Sequence, residues 1–131
     1  MQDERRKQPR KDLMSYSQVY NVQDGKLIGY LGDLNLIGAM VISDQSLEMN
    51  SSLTISVQLP ELPGFQEESI TLPTRVAWCQ KDISPEYFNL GLEFKTVTDR
   101  QKAIIAAIME NYEFRRQAPH YAPRRAEEMD E

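Results

Sequence analysis

Five basic side chains open the chain: Arg5, Arg6, Lys7, Arg10 and Lys11 fall within eleven residues, and three residues separate Arg6 from Arg10. A guanidinium is permanently charged, presents a fork of donors and stacks on flat rings, so two at this spacing suit phosphate oxygens or the edge and face of a base. The same run also reads as a solvated basic terminus, a common state of charge runs at chain ends. A second group is Asp33-Leu-Asn35-Leu-Ile-Gly38. Asp33 accepts hydrogen bonds from a base edge, Asn35 both donates and accepts, and Gly38 lets a ligand approach the backbone. As plain structure, Asp and Asn form turns and Gly38 marks a bulge.

Catalysis finds little support in the remaining residues. The one histidine, His120, lies between Pro119 and Tyr121 near the C-terminus, and with the distant Cys79 it makes neither a zinc set nor a nucleophile and base. Glycine-rich phosphate loops and paired-histidine metal motifs are absent, so no enzyme, metal or cofactor is expected. The chain has 131 residues, 40% hydrophobic and 27% charged, which fits one ordinary domain. Its net charge of −5 is unevenly spread: residues 1–11 carry five basic against two acidic side chains, +3, which leaves −8 for residues 12–131. An acidic body argues against DNA or RNA binding, where a basic surface supplies most of the affinity. No apolar run is long enough to insert in a membrane, and five basic residues without an amphipathic face or anchor make a weak membrane surface signal. A lone cysteine and an opening, MQDERRKQPRK, without an apolar leader point to the cytoplasm.

The elements that would position these groups are mostly strands. Leu53 to Leu59 alternates apolar and polar residues at every step, Ile70, Leu72, Val76 and Trp78 share one face of a second run with Thr71, Arg75 and Cys79 opposite, and Phe88, Leu90, Leu92 and Phe94 line a third. Pro73 marks an edge or a bulge in the second. Residues 13–22, 26–32 and 38–43 complete about six strands, with Asp24-Gly25 supplying the positive φ of a hairpin. This spacing predicts a mainly β fold, a six-stranded antiparallel barrel. A helix follows from near Thr98, capped by Thr98 with Gln101, to near Arg115. Its apolar rows Ile104, Ile108, Tyr112 and Ile105, Met109 would seal the barrel. The chain thus divides into an arm at 1–12, a barrel plus helix at 13–115, and a tail at 116–131, whose prolines and lack of periodicity predict disorder.

Together, the two polar groups resemble the PilZ family, bacterial six-stranded barrels that bind cyclic di-GMP. The family pattern is an RxxxR at the N-terminal edge and a [D/N]xSxxG on the barrel surface. Arg6-Lys-Gln-Pro-Arg10 matches the first part fully. Asp33-Leu-Asn35-Leu-Ile-Gly38 matches the second at Asp33 and Gly38 and departs at the serine, where Asn35 stands. Arg75-Val-Ala-Trp78 and Asn89-Leu-Gly-Leu-Glu-Phe94 also look like the family's closing strands, so the resemblance covers roughly residues 4–97 and the helix after them.

The resemblance implies a non-enzymatic receptor in which Arg6 and Arg10 bind the phosphates or guanines of cyclic di-GMP, Asp33 and Asn35 recognise a guanine from the barrel side, and Gly38 keeps the surface open. Arg5 either adds solvated charge or supplies a third guanidinium for a stacked pair of ligands. Trp78 either packs in the core, as the alternation places it, or touches ligand at the rim. A single-domain receptor would signal through a changed surface to an unidentified protein partner, in motility, biofilm or pilus-related processes, as a monomer or weak dimer. The competing readings are a PilZ-like adaptor that binds no nucleotide and, ranked lower, a small barrel for single-stranded nucleic acid.

Overall fold

A computed structural model describes residues 12–14 and 17–114. Its elements in chain order are β1 (Asp12–Leu13), β2 (Gln18–Asn21), β3 (Leu27–Leu34), β4 (Gly38–Ser43), β5 (Ser52–Gln58), β6 (Ser69–Lys81), β7 (Phe88–Phe94), α1 (Asp99–Asn111) and β8 (Tyr112–Glu113). Six strands close into an antiparallel barrel in the order β2-β3-β4-β7-β6-β5, and β1 pairs with β8 in a separate parallel ribbon. Closure pairs every barrel strand on both sides and leaves no open edge. Among the described residues no helix is long and apolar enough to cross a membrane.

The alternation in the strands fills the interior. Val19, Leu31, Val41, Ile55, Val57, Leu72, Val76 and Leu90 are almost fully buried, as are Ile104, Ile105 and Ile108 of α1, which belong to the same cluster. Burying each such side chain contributes roughly 1.5–3 kcal/mol, so the helix is held mainly by its three isoleucines closing the barrel mouth. Its start is fixed by Thr98, whose hydroxyl accepts the Gln101 amide at 3.1 Å while the Gln101 side chain accepts the Thr98 amide at 3.0 Å. Gln101 also donates to the Thr71 carbonyl at 2.8 Å, which ties the cap to β6.

The helix ends at Asn111, four residues short of the expected Arg115. Tyr112 turns extended, with φ −135° and ψ 147°, because it enters the ribbon with Asp12, and its hydroxyl donates to the Glu61 carbonyl at 2.8 Å. Met109, expected on the buried stripe, is 36% exposed. The run 13–22 is likewise divided: Asp12–Leu13 pairs with Tyr112–Glu113, and only Gln18–Asn21 joins the barrel. Pro73 is not at a bulge; it lies on β6 next to Thr74, where the ladder to β7 stops. Gly25 has φ +72° in the β2–β3 hairpin, as the Asp-Gly pair requires.

All barrel neighbours are antiparallel, so alternate strand ends gather at the two mouths. The end of β3, the start of β4, the end of β7 with α1 after it, the loop 59–68 and the entry into β2 therefore share one mouth. Ser17, which leads into β2, lies there. The Ser17 carbonyl accepts the Leu31 amide at 2.8 Å, two residues from Asp33.

Candidate functional site

Strict alternation would send Trp78 into the core with Val76, and it would send Asp33 inward with Leu31. Two β-bulges reverse both. In β3, Leu31 lies opposite Val41 and Asp33 opposite Met40, which leaves Gly32 as the extra residue. In β6, Val76 lies opposite Leu92 and Trp78 opposite Gly91, which leaves Ala77 as the extra residue. Each insertion shifts the two-residue period by one, so every following side chain changes face. Leu31 and Leu34 both point into the core while Asp33 is half-buried on the outside. Val76 is fully buried, Trp78 is 38% exposed, and Cys79 packs against the core.

The expected inward Trp78 and outward Cys79 are therefore corrected, and the cause is one inserted residue. The two bulges bring Asp33 and Trp78 to the same outer row, Asp33–Met40–Gly91–Trp78, which crosses β3, β4, β7 and β6. Gly91 makes the row possible. A Cβ there would lie 2.1 Å from Trp78 Cε2 and 2.2 Å from Nε1, so the indole rests on the bare backbone of β7.

The neighbouring outer row is Gly38–Glu93–Arg75–Ser52. Arg75 donates from Nε and Nη2 to Glu93 Oε1 at 3.0 and 2.6 Å and from Nη1 to Asn50 Oδ1 at 2.6 Å. These two rows and the β3–β4 turn enclose a cleft of about 330 Å³ lined by Asp33, Asn35, Met40, Arg75, Trp78 and Glu93 among others. That volume is at the low end for small-molecule clefts, and its combination of one aromatic face with a few fixed polar groups suits a planar heterocycle.

Asn35 has a definite structural task. Its Oδ1 accepts the backbone amides of Ile37 and Gly38 at 2.9 and 3.0 Å, and its backbone N–H donates to the Gly38 carbonyl at 2.9 Å, so it closes the β3–β4 turn. A serine hydroxyl makes the same kind of turn bond more weakly. Asn35 thereby keeps the turn while it lines the cleft. Gly38 is required by packing: a Cβ there would lie 2.5 Å from the Leu92 carbonyl oxygen of β7. Asp33 Oδ1 accepts the Leu34 amide at 2.9 Å, which sets its carboxylate at the start of the turn.

Of the expected site residues, the cleft unites Asp33, Asn35, Gly38 and Trp78. Arg5, Arg6 and Arg10 lie outside the described residues, as does His120. Sequence reasoning placed Arg75 opposite the apolar face of its strand and Gly91 and Glu93 between the apolar residues of the last strand, without joining them to the site. Their pairing, Gly91 opposite Trp78 and Glu93 opposite Arg75, depends on the register across the Ala77 bulge, which sequence alternation does not carry.

The PilZ domain family model matches residues 4–111. This chain belongs to the PilZ family. No curated protein and no solved structure matches it. The closed six-stranded barrel with one helix is the architecture expected of a PilZ domain, and PilZ domains act as receptors and adaptors rather than enzymes.

Proposed function

We propose that this PilZ protein is a cyclic di-GMP receptor that relays ligand binding to a partner protein. The observation that carries this reading is the pair of bulges at Gly32 and Ala77, which set Asp33 and Trp78 on one outer cleft at the mouth where Ser17 leads into β2. A base lying on Trp78 presents its edge to Asp33 and to the Asn35 amide. Stacking of this kind contributes about 1–3 kcal/mol per base.

The cleft holds two carboxylates, Asp33 and Glu93, against one guanidinium already paired with Glu93. It is a poor phosphate site by itself. Arg6 and Arg10, with Lys7 between them and Arg5 before them, supply the cations that two phosphodiesters need. Engagement of those basic residues by the ligand changes the surface that a partner meets, and the coupling of ligand to partner is then a difference in partner affinity between the two states.

Calorimetric titration with cyclic di-GMP, with linear di-GMP and cyclic di-AMP as controls, tests the reading. Saturable heat with cyclic di-GMP, lost in the Arg6→Ala, Arg10→Ala double variant, supports it. At a hundredfold excess over Kd, bound ligand stabilises the fold by about 2.7 kcal/mol, which a melting curve reads directly. Absence of heat and of thermal protection at high micromolar ligand overturns the receptor reading in favour of an adaptor that works through protein contacts alone.

A further inference from the structure

We propose that Arg75 is a base-reading residue: its guanidinium, fixed by Glu93 and Asn50, donates to the N7/O6 edge of a guanine lying on Trp78. This inference rests on the receptor reading above and adds to it the group that recognises the Hoogsteen edge.

An arginine opposite a glutamate on neighbouring antiparallel strands is ordinary, and an exposed pair of this kind contributes little to stability. The pair here is held more firmly than that role needs. Asn50 has a left-handed backbone, φ +68°, and its amide donates to the Val76 carbonyl at 2.7 Å, which pins the loop before β5 against β6. From that position its Oδ1 takes Nη1 of Arg75 while Glu93 takes Nε and Nη2 from the other side. Two structural elements thus clamp one guanidinium at the rim of the cleft that Trp78 and Asp33 also line.

Three of the five N–H groups of Arg75 are occupied by these bonds, which leaves two without a partner among the described residues. Guanine presents two acceptors, N7 and O6, side by side, and arginine is the side chain that meets both. Adenine presents a donor at the equivalent of O6, so the same arrangement works against it. Charge supports a base over a phosphate as the target. Glu93 already neutralises Arg75, so the residue attracts a neutral edge by directed hydrogen bonds more than it attracts an anion. Because its geometry is set before binding, little rotamer freedom is lost when the base arrives.

The test compares the affinity of cyclic di-GMP with that of its 7-deaza analogue, which keeps both phosphates and the Watson–Crick edge but lacks the N7 acceptor. Wild type should favour the parent ligand about fivefold or more, and Arg75→Lys, which keeps the charge and loses the fork, should weaken parent binding about tenfold and bring that preference close to one. Glu93→Gln retains Arg75 but loosens its clamp, so it should give an intermediate preference. Melting curves of both variants without ligand check that the barrel is intact. A merely structural cross-strand pair would weaken both ligands equally or neither. An unchanged preference in Arg75→Lys, or no preference in wild type, overturns the proposal while leaving the receptor reading in place. No binding of cyclic di-GMP by wild type overturns both.

Discussion

Gly91→Ala is the smallest perturbation that tests how the cleft is built. The added Cβ would lie 2.1 Å from Trp78 Cε2, 2.2 Å from Nε1 and 2.6 Å from Cδ2, whereas ordinary contact begins near 3.4 Å, so the indole must lift by at least 1.3 Å. Lifting by 0.5–1 Å already forfeits roughly a quarter to a half of a contact's dispersion energy. Trp78 is 38% exposed and free to move outward, so the loss of stability should fall near the lower end of the ~1–3 kcal/mol typical of overpacking. The effect on ligand should be larger. If the base stacks on an indole seated on β7, displacing that platform removes most of a stacking contribution of about 1–3 kcal/mol, a loss of roughly five- to 150-fold in affinity. Trp78 is the only tryptophan, so its emission reports the displacement directly. The expected result is a red-shifted maximum, weaker cyclic di-GMP binding by calorimetry and a small drop in melting temperature. An unchanged maximum with unchanged affinity refutes the platform. A loss of 3 kcal/mol or more with no change in emission refutes it as well, since the backbone and not the indole would then have moved.

Asn35→Ala removes the acceptor for two turn amides and should cost about 1 kcal/mol in a denaturant melt, whereas Asn35→Ser should recover most of it because a hydroxyl makes the same turn bond. Glu67 forms a forked pair with Arg100, at 2.6 and 3.0 Å, and that hydrogen bonding lowers its pKa from 4.5 to about 2. A depressed carboxylate stabilises the fold above its unfolded pKa. That contribution should fade as pH drops from about 4.5 toward 2, by a small amount because solvent screens the pair, and Glu67→Gln should abolish this part of the melting-temperature profile. The Tyr112 phenol is pushed up, first by desolvation and then by Asp12 and Glu61. Its stabilising share is therefore fully present below the ordinary tyrosine value and lost as pH rises through the elevated one, so Tyr112→Phe should flatten the alkaline limb of the same profile.

The strands were legible wherever each residue kept to the period of two. In β5, Leu53, Ile55 and Val57 are inward with exposed or half-buried neighbours, as their alternation requires, and β4 has the bounds that its apolar run suggests. The helix start was legible because a capping box is a local device that needs no tertiary partner. What alternation could not carry was an inserted residue. Gly32 inside a strand is a signal for a bulge, but Ala77 is silent, and a single missed insertion reverses the faces of Trp78 and Cys79. The end of the helix was also hidden, since Tyr112 continues the apolar row and leaves the helix only because Asp12, a hundred residues earlier, offers it a strand. Asp33 and Gly38 could be picked from their spacing, yet Gly38 owes its identity to the Leu92 carbonyl, a contact between strands that sequence separation conceals.

These corrections bear on how the site divides its work. Had Trp78 been a core residue, the barrel would offer only short polar groups on a turn, and the basic segment would have to supply both charge and stacking. With Trp78 outside, the barrel provides a seated aromatic face, the Asp33 carboxylate and a clamped, neutralised guanidinium, all of which, on the receptor reading, suit a base. None of them answers a phosphate. The formal positive charge of this chain is concentrated instead in residues 1–11, which carry +3 against −8 elsewhere. Neither half is sufficient for a ligand that is at once doubly anionic and doubly aromatic, because long-range attraction without a shaped face is unspecific, and a shaped face with a net negative lining repels the phosphates. On the proposed receptor reading, the acidic barrel makes the basic residues 5–11 a requirement of binding, and their engagement with ligand is the step that a partner protein would sense.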